Sequence, residues 1–149
     1  MKLEEEIKQK NFNNPYQRLS INILFTASWI NIQTARILKP FTITPQQYNV
    51  LRILRGQNNK PASVGLIQER MLDKSSNASR LIDKLLAKKL VDRNICIEDR
   101  RQVDIRIIQK GLALLQEIDP LIVELDNQFK TINEEQAKMM GDLLDQLRG

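Results

Sequence analysis

The sequence predicts a mainly α-helical fold with one small β-hairpin, and three observations carry that expectation. Apolar residues recur at intervals of three and four through most of the chain. Between residues 91 and 107 the interval drops to two. Val91, Arg93, Ile95 and Ile97 alternate with Asp92, Asn94 and Cys96, and beyond a charged tip Val103, Ile105 and Ile107 alternate with Asp104 and Arg106. Polar turn clusters, "GQNNKP" and "DKSS", separate the helical stretches.

The elements follow in order. "NPYQRLSINILFTASWINIQTARIL" (14–38) is a long helix, apolar on more than one side, of the kind that is buried against other helices or a second chain. Pro40 ends it. "TPQQYNVLRIL" then opens with Thr44 as N-cap, Pro45 at the first helical position and Gln47 completing a capping box. Its inner face is Val50, Leu51 and Leu54. A short helix over 63–72 has Ser63 as cap and Leu66, Ile67 and Met71 facing inward. The helix placed at 75–89 has two flanks. Ala78, Leu81, Ile82 and Leu85 form a greasy one, while Asn77, Arg80, Lys84 and Lys88 form a polar, basic one.

In the hairpin, one face is expected on the core, and a tip without Gly or Asn-Gly calls for a loop longer than two residues. From Gln109 the helix period returns. Leu115, Ile118, Ile122, Leu125, Phe129 and Ile132 form an a/d-type seam, with Pro120 expected to bend it. Asn133 caps a last helix whose Ala137, Met140, Leu144 and Leu147 repeat that spacing. Such seams signal packing, either within one chain or between two copies.

Composition narrows the function. A chain of 149 residues with 42% apolar and 28% charged residues fits one soluble domain with helical extensions. No apolar run is long enough to span a membrane, and "MKLEEEIKQK" lacks the apolar core of a secretory signal, so a cytoplasmic location is expected. There is no histidine and one cysteine, which excludes the usual His/Cys zinc site and a Ser–His or Cys–His nucleophile pair. No glycine-rich phosphate loop or calcium-loop spacing is present. No enzyme, metal or cofactor is expected. Charge is unevenly spread: residues 1–73 and 74–110 each hold ten basic and five acidic groups, and residues 111–149 hold three and eight. A basic middle joined to an acidic tail suits a face that meets a polyanion, or simply a solvated charged surface.

Helix, helix, turn, polar-faced helix and hairpin, in that order, describe a winged helix-turn-helix. The second helix of the pair suits a major groove about 12 Å wide, and the hairpin reaches an adjacent minor groove. Arginines at the tip suit the negative potential of a narrow minor groove.

"TPQQYNVLRIL", "SNASRLIDKLLAKKLVDR" and "EDRRQVDIRIIQKG", in this order and spacing, resemble the MarR family of regulators over essentially the whole chain. That resemblance implies a homodimer on pseudo-palindromic double-stranded DNA. It divides the chain into an N-terminal dimerisation helix region (1–39), a DNA-binding domain (40–110) and C-terminal dimerisation helices (111–149). It implies a reading helix over 75–89 with Ser75, Ser76, Asn77, Ser79, Arg80 and Lys84 toward the groove. It places Arg101 of the wing tip (98–102) in the minor groove, Asp99 bracing it and Arg100 near phosphate. The residues alone equally allow Asn77 to cap its helix and Arg80 to pair with Asp83 or Asp99. The chain departs from the family pattern at Cys96 and Glu98, where Asp and Arg are common, and at Lys89, where glycine is usual.

A ligand-responsive repressor is the simplest role so implied. The expected effector is small and aromatic, in a pocket lined by Phe25, Trp29, Phe41 and Tyr48, although core packing explains such residues too. Cys96, on the polar side of its strand, makes redox control a second option, yet it stands apart from the N-terminal cysteine of peroxide-sensing members. The alternative function is a winged-helix module that docks an acidic protein or RNA.

Overall fold

The computed structural model describes residues 1–149. Helix α1 (Leu3–Glu6) precedes the long α2 (Pro15–Leu38), and a 3₁₀ turn (Lys39–Phe41) leads to α3 (Pro45–Arg55). Strand β1 (Ala62–Ser63), α4 (Val64–Arg70), α5 (Ala78–Ala87), β2 (Val91–Ile95) and β3 (Val103–Ile107) complete the middle of the chain. Helix α6 (Gln109–Asn127), a 3₁₀ turn (Gln128–Thr131) and α7 (Glu134–Arg148) close it. The fold class is the one the sequence predicts: mainly helical, with a hairpin after a helix pair.

The start signals act as read. Thr44 and Gln47 form a reciprocal capping box on α3, Ser63 caps α4 by accepting from Leu66 N–H, and Asn133 with Gln136 forms a second capping box on α7. Each satisfies amide groups left without partners at a helix start. Val50, Leu51, Leu54, Ile67, Met71, Ile82, Leu85, Ile105, Leu115 and Ile118 are among the residues of one continuous core. That core ties the helix pair, the hairpin base and α6 together.

Three details differ from the expectation. The sheet has three strands, because β1 pairs antiparallel with β3, Ala62 opposite Ile105. A two-residue strand is too short to show periodicity. The helix expected over 75–89 spans Ala78–Ala87, since Asp73, Ser75 and Ser76 form a turn and Asn77 is its N-cap. The hairpin's inner face runs out of core: Val91 is buried, but Ile95 and Ile97 are exposed.

Helix α5 ends in a reciprocal C-terminal motif. Leu90 N–H donates to Leu85 C=O and Lys89 N–H to Leu86 C=O, at 3.1 and 2.9 Å, while Leu85 and Leu90 are both buried. This places Lys89 in the left-handed region at φ 55°, so the turn keeps the geometry for which glycine is suited. Lys89→Gly is therefore expected to raise stability by about 0.5–1 kcal/mol, by relieving left-handed strain against a looser unfolded chain. Urea unfolding of the two proteins checks this.

Gly111 is needed for another reason. A methyl group there would sit 2.4 Å from the Leu90 carbonyl oxygen and 2.7 Å from Ile107 Cγ1. The first turn of α6 thus lies directly on the hairpin base. No helix is long and apolar enough to cross a membrane.

Candidate nucleic-acid interface

The helix pair is assembled by side chains that satisfy backbone groups between elements. Gln68 of α4 accepts from Ala78 N–H (3.0 Å), supplying a second cap for α5, and Asn49 of α3 accepts from Leu72 N–H in the intervening turn (2.9 Å). Neither residue stood out in the sequence, where both read as polar positions on amphipathic helices. Asp73 holds the same turn by accepting from Ser75 N–H and Ser75 Oγ, at 2.9 and 2.6 Å. Those bonds, led by the Ser75 hydroxyl, hold its carboxyl below the usual range.

The predicted groove residues divide. Ser79, Arg80 and Lys84 are exposed on α5, and neither basic side chain enters an ion pair. Asp83 is held by Arg93 of β2 instead, which leaves Arg80 without that partner. Asn77 is the cap: its side chain accepts from Arg80 N–H at 3.1 Å while remaining exposed. Ser75 is exposed with its hydroxyl engaged by Asp73. Ser76 departs from the expected groove-facing placement, because its hydroxyl is buried without a hydrogen-bond partner. Lys88 also leaves the basic flank. Its ammonium reaches back to the Thr42 carbonyl and to Gln47 Oε1 (3.2 Å), fastening the end of α5 to the start of α3.

Asn77→Ala is expected to cost about 1 kcal/mol through loss of the cap, with Asn77→Ser near wild type. Thermal unfolding of the three proteins checks it.

The wing tip is a loop, as its composition required. Asp99 Oδ1 accepts from Arg101 N–H (3.0 Å), Asp99 C=O from Gln102 N–H (2.9 Å), and Gln102 C=O from Cys96 N–H (3.1 Å). Asp99 thus braces the tip through the backbone of Arg101 and leaves the guanidinium unengaged. Arg100 and Arg101 are both exposed. Cys96 is half-buried and unpaired.

The four aromatic residues are not brought into one pocket within the chain. Phe25 and Trp29 line a cavity of about 210 Å³ with Met1, Leu3 and Thr26. Trp29 also meets Phe129 edge-on at 6.2 Å. Phe41 packs on the core, and Tyr48 is inside it, where burial raises the phenol above its ordinary value of 10.0. Arg52 stacks over the Tyr48 ring at 5.9 Å. Tyr48 faces the core because it shares a helical side with Leu51. Below it, Arg55 forks onto Asp119 at 2.8 and 3.0 Å, joining the helix pair to α6.

Away from this face, α2 and α7 border an apolar groove of about 630 Å³. Leu19, Ile23 and Ile30 line one side, and Met140, Leu143 and Leu147 the other. No residue of α7 is buried.

The MarR family model matches residues 41–102, from the start of α3 to the wing tip. The HTH-type transcriptional regulator MhqR of Bacillus subtilis is 29% identical over 103 residues, covering 68% of this chain and 70% of that protein. A cysteine-to-serine variant of MarR from E. coli, complexed with operator DNA, superposes with a TM-score of 0.75 at 21% identity, over 99% of each chain. The S. aureus MepR–DNA complex gives 0.76 at 20% identity, over 92% of this chain and 97% of that one. At those identities the superpositions speak for the fold.

Proposed function

This chain belongs to the MarR family of transcriptional regulators, and on that premise we infer that it works as a homodimer on double-stranded DNA. Helix α5 reads the major groove and the wing tip (98–102) the minor groove of a pseudo-palindromic operator. Residues 40–110 form the DNA-binding domain between dimerisation regions 1–39 and 111–149. The observation that carries this reading is the pairing of two exposed basic features. Arg80 and Lys84 are unpaired on α5, and Arg100 and Arg101 are unpaired on a tip braced by Asp99. A protein-docking module gives no reason for both. The solved relatives on DNA support the same reading for this fold.

Within it, Ser79, Arg80 and Lys84 meet base edges or phosphates, Asn77 and Ser75 set the helix start, and Arg100 lies beside phosphate. Ser76 contributes through the turn. Arg101 enters the minor groove as a planar, permanently charged group. The open apolar groove between α2 and α7 supports dimerisation, since exposed Leu19, Leu143 and Leu147 are then covered by a second copy. A repressor is the simplest consequence, because occupancy of an operator excludes other proteins. The pocket beside Phe25 and Trp29 is the place for a small aromatic effector.

Enrichment of duplexes from a randomised pool tests this reading. One recurring pseudo-palindrome is expected, bound with two chains per duplex and retained in excess RNA. Equal capture of every duplex, or displacement by RNA at equal concentration, contradicts it.

A further inference from the structure

We propose that the wing holds DNA through an apolar flank as well as through its arginines, with Ile95 and Ile97 packed against deoxyribose where the minor groove borders the reading helix. This rests on the DNA-reading function above and names a contact class for that same site.

The first observation is exposure. Ile95 is 70% exposed and Ile97 is 97% exposed, although both are large and apolar. The inner face of the hairpin starts in the core, with Val91 and Ile105 buried and Val103 and Ile107 half-buried. It then continues past the core without cover. A solvent-facing isoleucine contributes nothing to folding, and burying it later releases the transfer free energy that folding left unused.

The second observation is direction. Ile95 pairs with Val103 and Arg93 with Ile105, so Ile95 and Arg93 share the face that meets the core. On that face Arg93 bonds to Asp83 of α5. At Ile95 the apolar flank therefore looks toward the reading helix, and Ile97 follows just past the strand, next to the Cys96 N–H bond to Gln102 C=O. With α5 in the major groove and the tip in the neighbouring minor groove, the strand between the grooves passes along this side.

The third observation is charge. Arg93, Arg100 and Arg101 flank the two isoleucines along the hairpin sequence, within a segment (74–110) that holds ten basic and five acidic residues. A second copy of the chain meets like charge here. DNA offers the opposite combination: phosphates for the cations and sugar C–H surface lining a groove about 6 Å wide. Duplex RNA has a wide, shallow minor groove lined with 2′-hydroxyls, so it presents polar groups to the same flank.

The test uses full-length protein and the duplex enriched by the wild type, with anisotropy titrations across salt. Ile97→Ala is expected to weaken binding roughly five- to twentyfold. Its slope of log K against log salt should match wild type, because no counterion-releasing contact is lost. Ile97→Leu is expected to recover most of the affinity. Because Ile97 is almost wholly exposed, both variants should unfold as wild type does. Wild-type affinity in Ile97→Ala, or a loss accompanied by a shallower salt slope, overturns the apolar contact. Displacement of the duplex by an acidic polypeptide that binds wild type and not Ile97→Ala also overturns it. If the wild type enriches no duplex, the DNA-reading function itself has failed, which separates that outcome from failure of the flank alone.

Discussion

Arg101→Ala is expected to lower affinity for the enriched duplex by roughly 100-fold while leaving unfolding unchanged. The guanidinium has no partner within the chain, so truncation removes nothing that supports the fold. What it removes is one cation from each wing of a dimer, at about 1–2 kcal/mol each. The salt slope should fall by about two, one counterion-releasing contact per wing. Arg101→Lys keeps the charge and loses the planar fork, so it should retain the slope and recover only part of the affinity. Salt titrations of the three proteins provide the measurement. A loss equal in Arg101→Ala and Arg101→Lys would assign the effect to shape rather than charge.

Gly111→Ala carries the largest expected effect on stability. Helix propensity alone predicts a gain of about 1 kcal/mol from this change. Packing predicts the reverse, because the new methyl group meets a backbone oxygen, which cannot rotate away as a side chain can. The same Leu90 carbonyl accepts from Ile108 N–H at 3.2 Å, so displacing it disturbs the join between hairpin and α6. A net loss of about 2 kcal/mol is expected, and more for Gly111→Val. Urea midpoints at constant m-value decide the sign. A stabilised Gly111→Ala protein would mean that α6 and the hairpin base separate at little cost.

Most of the fold was legible because local signals agreed with one another. Thr44, Ser63 and Asn133 are caps in sequence and in structure, and the change of period at Val91 marks the hairpin. What escaped depends on contacts between distant residues. Strand β1 exists only because β3 lies beside Ala62. The alternation through Ile95 and Ile97 gives the face but not how far the core reaches along it. Lys88 fits the basic flank by spacing, yet its ammonium is drawn to Thr42 and Gln47 across the helix pair. The four aromatics share chemistry without sharing a place, since Tyr48 follows the inner face of α3 while Phe25 and Trp29 follow α2. At the site itself, the types Arg80, Lys84, Arg100 and Arg101 were readable. Their freedom from ion pairs was not, because that depended on Arg93 taking Asp83 and on Asp99 bonding to backbone.

Hydroxyl-radical footprinting of the enriched duplex is the most direct test of a dimer that reads both grooves, because the radical attacks deoxyribose from the minor groove. Two protected patches per strand, related by the pseudo-dyad, are expected where the wings sit, and they should open in Arg101→Ala while the protein remains bound. Uniform protection unchanged by Arg101→Ala, or no protection under saturating binding, would contradict a wing in the minor groove.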